Sequence, residues 1–229
     1  LDPQGVDTPV RPVIETMDIV DPHLLLSQLG PLVRATAPPA AIVVQAYTES
    51  LCIDCQHFFD RQLLPAYQRL GSEIISLQIV PFGNAKINET QETVECQHKD
   101  AECDANSWEQ CAVEAFPPEK YIGFFGCLET ALPMGSRSDL FDPIVFETCA
   151  EISGLDFEIL QNCHDDHQTA WALQKKYAEL TPPHDHVPWV VLDGQKFDEE
   201  SDDLFVEVCK AYVRKGGSSP ECSSVLEFF

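Results

Sequence analysis

Residues 42–67, IVVQAYTESLCIDCQHFFDRQLLPAY, decide how the rest of the chain is read. The run Ile42-Val43-Val44-Gln45-Ala46-Tyr47 is apolar and partly β-branched, the composition of a strand. Thr48-Glu49-Ser50 is a short polar turn. Beyond it Phe58, Phe59, Leu63, Tyr67 and Leu70 recur mostly at steps of three and four, the period of a helix with one buried face. Cys52 and Cys55 fall at the start of that helix. A helix N-terminus leaves backbone N–H groups unpaired and carries the positive end of the dipole, so it favours a thiolate. The second thiol lies one turn along, placed to attack a mixed disulfide formed by the first. Asp54 works the other way, because a neighbouring carboxylate disfavours thiol ionisation. On local grounds the pair reads as redox-active, with an inert structural bridge or half of a zinc site as the alternatives.

The same pattern continues outward. Pro65 is expected to bend the helix over 51–70, Gly71 and Ser72 end it, and Glu73–Pro81 reads as a second strand. Strand, helix, strand makes parallel neighbours. Residues 82–165 break the pattern and carry Cys96, Cys103, Cys111, Cys127, Cys149 and Cys163. Helices are predicted there over 106–116, 118–128, 144–151 and 157–163. A segment of roughly 80 residues is too long for a plain loop and is read as a mainly helical insertion. An amphipathic helix follows over 168–180 and is stopped by Thr181-Pro182-Pro183. A strand over 186–194 is entered through Val187-Pro188 and left through Asp193-Gly194. Gln195–Phe197 returns as a short partner, and 202–215 is the last helix.

Stripped of the insertion, the order is β-α-β then α-β-β-α, an α/β thioredoxin-like arrangement. The domain reading is an N-terminal arm or propeptide-like segment over 1–40, the domain over 41–215 with its cysteine-rich insertion at about 82–165, and a Gly/Ser-rich tail over 216–229. In that arrangement the proline entering the third strand is cis, and its loop lies against the Cys-x-x-Cys pair. Val187 and Pro188 are therefore expected to line the substrate floor.

Composition narrows the setting. The chain of 229 residues is 44% hydrophobic, enough for a core without disulfide rescue. No apolar run approaches a membrane span. The opening residues are polar and proline-rich rather than a signal peptide, so a processed or truncated chain is expected. A net charge of −24, from 38 acidic against 14 basic residues, argues against nucleic acid and anionic membrane as partners. Ten cysteines, an even number, fit an oxidising secretory or endolysosomal route. Eight of them are expected to form four bridges whose pairing the sequence does not reveal. Cys222 is open to an interchain bond, a bridge to the core, or a role in a removed tail. Asn88-Glu89-Thr90 is a glycosylation sequon compatible with that route. His57, two residues past the pair, is expected to support the thiolate when protonated. His98 reads first as a hydrogen-bonding residue of a cysteine-laced loop. Zinc sites usually pair two tight cysteine motifs and only one is present, so neither a metal nor a cofactor is expected.

The stretch Cys96-Gln97-His98-Lys99-Asp100-Ala101-Glu102-Cys103-Asp104-Ala105-Asn106, closed at Cys111, resembles the C-Q-H-G-x-x-E-C-x-x-N-x-x-x-x-C signature of the gamma-interferon-inducible lysosomal thiol reductases. It departs from it only at Lys99, where the family has Gly, which puts the local turn in question if positive φ is needed there. Cys52-Ile53-Asp54-Cys55 is similar to the family's active pair, and Pro182-Pro183-His184 with Val187-Pro188-Trp189-Val190 also resembles it. The resemblance covers roughly 42–210. It implies a soluble lysosomal and late-endosomal glycoprotein, trimmed at both ends, that reduces protein disulfides in acid and so assists proteolysis and antigen presentation. Its expected partners are disulfide-bonded proteins, unfolded or partly proteolysed, with a homodimer through Cys222 as a further expectation. A disulfide oxidase or isomerase on the same fold, and a non-enzymatic disulfide-rich binding protein, are the alternatives. Acid activity demands a lowered Cys52 pKa, since an ordinary thiol near 8.5 ionises at about one part in a few thousand at pH ~5.

Overall fold

A computed structural model of the chain describes residues 40–132, 142 and 144–226. The expected N-terminal arm lies almost wholly outside the described residues. Strand β1, Ile42–Thr48, is the centre of the main sheet, and Ile42, Val44 and Ala46 on it are wholly buried. It pairs in parallel with β2, Ile75–Pro81, in a register that sets Ile42 opposite Ile75 and Thr48 opposite Pro81. On its other side runs antiparallel β5, Trp189–Leu192, with Val44 opposite Leu192, and β6, Gln195–Phe197, completes the order β2-β1-β5-β6. This is the α/β core that the element order predicts.

The connection between β1 and β2 differs from one bent helix. It comprises α1, Ile53–Phe58, a π-helical stretch over Phe59–Leu63, and α2, Leu64–Ile74. Pro65 sits in the first turn of α2. A proline has no N–H to give to the preceding turn, and a widened turn just ahead of it absorbs the loss. Gly71, at φ 65° and ψ −179°, breaks the helical path within α2, and the backbone reaches the extended conformation at Ile75. That backbone region is essentially restricted to glycine.

The insertion opens with a hairpin that the sequence reading lacks, β3 at Lys86–Asn88 and antiparallel β4 at Thr93–Glu95. Each strand has three residues and only Ile87 and Val94 turn partly inward, too short an alternation to register as a strand. The helices follow as α3 Asp100–Ala115, α4 Pro118–Ala131, α5 Ile144–Ser153 and α6 Phe157–Asp165, and then α7 His167–Leu180. Trp108 of α3 stacks on Phe146, Phe157 and His164 and so joins three helices in one aromatic core. Phe125 of α4 stacks on Phe59 at 5.9 Å, which fastens the insertion to the segment that follows the cysteine pair.

Four disulfides complete the frame: Cys96–Cys103, Cys111–Cys163, Cys127–Cys149 and Cys209–Cys222. The last joins α8, Leu204–Arg214, to α9, Pro220–Leu226. The tail is therefore helical through Leu226, started by Ser219, whose Oγ accepts the Glu221 N–H at 3.2 Å. Cys222 is wholly buried in this bridge, which corrects the expected interchain bond through it. Among the described residues no helix is long and apolar enough to cross a membrane.

Candidate active site

Cys52 and Cys55 are the two free cysteines of the chain's ten. Cys52 is the N-cap of α1, with extended backbone (φ −77°, ψ 122°), and its Sγ accepts the Cys55 N–H at 3.4 Å. Cys52 is 7% exposed and Cys55 is wholly buried. The Val187-Pro188 bond is cis, and the Cys52 thiol donates to the Val187 carbonyl at 3.7 Å across 135 residues of chain. Val187 and Pro188 are thus brought to the pair from the far side of the insertion. A groove of about 380 Å³ opens beside them, bordered by Asp54, His57, Arg61, His186 and Glu199 as well.

The two thiols are driven in opposite directions. A hydrogen bond from the Cys55 thiol lowers Cys52 to about 7, and the N–H groups of Cys55 and Asp54 add to this while burial and the Asp54 charge oppose it. Burial pushes Cys55 well upward, and the neighbouring Cys52 sulfur pushes it further. Asp54 is solvent-exposed, so its charge is screened, whereas its N–H lies on the thiolate side of the balance. His57 is half-buried in the last turn of α1 and borders the groove, but no hydrogen bond joins it to Cys52. The lowering of Cys52 comes from Cys55 and the α1 N–H groups.

The turn that delivers Cys52 is held from behind. Ser50 donates its N–H and its hydroxyl to Asn106 Oδ1 at 2.9 and 2.8 Å, and Gln56 Nε2 donates to the Ser50 carbonyl at 3.1 Å. Glu49 Oε2 accepts the Asn84 N–H at 2.8 Å. A Cβ on Gly83 would lie 2.3 Å from that oxygen, so the position admits only glycine. His98 pairs through Nδ1 with Glu102 Oε2 at 2.5 Å and gives its own N–H to Glu102 Oε1 at 3.0 Å. His98, Glu102 and Asn106 of the quoted motif thus converge on Glu49 and Ser50, with Cys96–Cys103 closing the loop. Lys99 has φ 71° and ψ −164°, the conformation for which glycine is suited. The Lys-for-Gly difference therefore leaves the turn in place at the expense of strain.

The sequence reading missed a set of buried acids. Glu49 and Glu102 are wholly buried, Glu109 is 1% exposed and Glu129 7%. Burial, then the Glu102 charge, raises Glu49 to about 7. Burial first, then neighbouring carboxylates, raises Glu109 and Glu129 well above the usual carboxylate range. Glu102, Asn106, Glu109 and Gln110 share one face of α3 at helical spacing. Such a polar face reads as solvent-facing, and only tertiary packing turns it inward. Glu102 and Asn106 were visible solely as members of the motif. Asn88 is exposed at the hairpin turn, where its side chain pairs with Gln91. Cys96, Cys103 and Cys111 are consumed in bridges and leave no thiol near the cysteine pair to complete a zinc site with it.

Solved structures with this backbone arrangement are thiol–disulfide proteins at low identity, a likeness of fold alone. Reduced DsbA from Mycobacterium tuberculosis superposes with a TM-score of 0.60 at 14% identity, covering 82% of this chain and 93% of that one. DsbA from Chlamydia trachomatis gives 0.54 at 18% identity, covering 77% and 87%. Sequence relatives are nearer. A "gamma-interferon-responsive lysosomal thiol protein" of Arabidopsis thaliana is 31% identical over 190 residues, 80% of this chain and 76% of the relative. A "gamma-interferon-inducible lysosomal thiol reductase" of Mus musculus is 31% identical over 206 residues, 87% of this chain and 78% of the relative. The sequence model described as "gamma interferon inducible lysosomal thiol reductase" matches residues 43–152, which hold both the cysteine pair and the motif behind it. The chain therefore belongs to the gamma-interferon-inducible lysosomal thiol reductase family, and it is a thiol–disulfide oxidoreductase built on a thioredoxin-like core.

Proposed function

We propose that Cys52 and Cys55 are the catalytic pair and that they reduce disulfides of protein substrates in an acidic compartment. The supporting observation is the opposed tuning of the two thiols, Cys52 lowered to about 7 beside the Val187 carbonyl and Cys55 raised and wholly buried. The Cys52 thiolate attacks one sulfur of the substrate disulfide. A Cys52–substrate disulfide forms, and the other substrate sulfur leaves as a thiolate and takes a proton from water. Cys55 then loses its proton and attacks Cys52 Sγ, which releases the second substrate thiol. Two electrons pass to the substrate and the pair is left oxidised, to be reduced again by a small thiol. The Val187 carbonyl and Pro188 form the wall against which substrate backbone lies, and His57 belongs to the groove rather than to the thiolate.

The pKa of Cys52 bears on the acidic setting. At pH ~5 a thiol of about 7 is ionised at roughly one part in 100, some thirtyfold more than an ordinary thiol. The buried carboxyls Glu109 and Glu129 point the same way. Their raised pKa values mean that the folded chain binds more protons than the unfolded one, so acid strengthens the fold. The fuller reading is a glycoprotein carrying its glycan on the exposed Asn88, with the arm over 1–40 trimmed from a precursor that is also secreted, a working domain over 41–215, and unfolded or partly digested proteins as substrates.

Insulin reduction at pH ~5 tests the proposal. Cys52→Ser is expected to abolish turnover, and Cys55→Ser to accumulate a covalent substrate adduct on Cys52. Full activity surviving both single changes would overturn the assignment.

A further inference from the structure

We propose that Glu49, His98 and Glu102 form a divalent-cation site, best matched to Zn²⁺, that ties the turn ahead of Cys52 to the start of α3. The three side chains each place a ligand atom within 4.8 Å of the others. They come from separate parts of the fold: the end of β1, the loop closed by Cys96–Cys103, and the first turn of α3. This is not a surface collection of acids, since both carboxylates are wholly buried and the His98 side chain is 16% exposed.

One donor is unpartnered. Glu49 Oε1 is buried without a hydrogen-bond partner and lies 3.9 Å from His98 Nδ1. A buried carboxylate oxygen left unpaired is destabilising unless something positive meets it. The remaining oxygens are already oriented from behind, Glu49 Oε2 by the Asn84 N–H and Glu102 Oε1 by the His98 N–H. Outer partners of this kind fix metal-ligating carboxylates. Two carboxylates face a single imidazole, so a doubly charged cation balances the group where one proton does not.

Donor chemistry selects the ion. One imidazole nitrogen with two carboxylate oxygens suits Zn²⁺, whereas Ca²⁺ needs six to eight oxygens and Mg²⁺ an octahedral oxygen shell. Bonds of about 2.0–2.2 Å to one ion keep any two donors within roughly 4.4 Å, which accommodates the Glu49–His98 separation. The closer His98–Glu102 contact opens by about 1 Å as the ion replaces the hydrogen shared there. His98, the accessible member, provides the way in. Neither Cys52 nor Cys55 is a ligand, so the site is separate from the redox pair although it braces the turn that leads to it.

The experiment uses the oxidised, chelator-treated protein, in which the closed Cys52–Cys55 bridge presents no thiolate to zinc. Calorimetric titration with ZnCl₂ is expected to give one ion per chain and a raised melting temperature. His98→Ala and Glu49→Gln are each expected to weaken binding by about 100-fold. Glu49→Gln keeps an acceptor for the Asn84 N–H, so the fold survives even if His98→Ala is unstable. A Cys52→Ser/Cys55→Ser variant is expected to bind as the parent does. No stoichiometric binding by the oxidised parent, weak surface binding that neither His98→Ala nor Glu49→Gln changes, or binding lost only in the double cysteine variant would each overturn the proposal.

Discussion

Replacing Cys55 separates the two sources of the low Cys52 pKa. The largest lowering of Cys52, to about 7, comes from the Cys55 thiol, and the N–H groups of Cys55 and Asp54 supply the rest. Cys55→Ala removes the thiol donor and leaves both N–H groups in place. Cys55→Ser keeps a donor at the same position. At pH ~6 the parent Cys52 is ionised at roughly one part in ten, and a thiol returned to about 8.5 at one part in 300, a thirtyfold fall in thiolate. The more basic thiolate is intrinsically the better nucleophile by about fivefold, so the net loss in alkylation rate at that pH is at most about sixfold. The shape of the pH profile is therefore the more decisive reading. Iodoacetamide labelling of the reduced protein, followed at Cys52 by peptide mass spectrometry across pH ~5–9, gives an apparent pKa for each variant. The parent is expected near 7, Cys55→Ser close to it, and Cys55→Ala higher by one unit or more. A Cys55→Ala profile that coincides with the parent's would refute the argument and place the whole effect in the helix N-terminus.

Two other outcomes follow from the buried groups and the strained turn. Glu109 and Glu129 have raised pKa values, so they contribute stability at and below the unfolded carboxyl pKa of about 4.3 and lose it as pH rises toward their folded values. Calorimetry of the oxidised, metal-free protein is expected to show the melting temperature falling as pH rises from ~5 to ~7.5. Glu129→Gln should lessen that fall, and a melting temperature that rises over this window would count against the raised pKa values of the buried acids. Lys99→Gly is expected to stabilise the protein by about 1 kcal/mol, because the relief of positive φ outweighs glycine's added freedom in the unfolded chain. Denaturant unfolding measures it, and a variant less stable than the parent would mean that Lys99 is not strained.

Local chemistry carried much of this protein in its sequence. The β-branched run at 42–47, the helical period that follows Cys52, the proline before Trp189 and the Asp193-Gly194 turn each act within a few residues, so the core elements and the place of the cysteine pair at a helix start were legible from their order. Short-range signals failed where burial decided the outcome. The hairpin at 86–95 has too few apolar positions to announce itself, and α3 presents an inward face of Glu102, Asn106, Glu109 and Gln110 that a hydrophobic pattern assigns to solvent. Disulfide pairing is equally a matter of distance in space. Cys111 meets Cys163 across 52 residues because α3 packs on α6, and Cys222 turns back to Cys209 because the tail forms α9. By itself the sequence determined a thioredoxin-like oxidoreductase with a Cys-x-x-Cys centre. Only the tertiary structure set which thiol lies against the Val187 carbonyl, which is wholly sealed, and what holds the turn before them, since burial, charge coupling and hydrogen bonding all depend on chain segments that are distant in sequence.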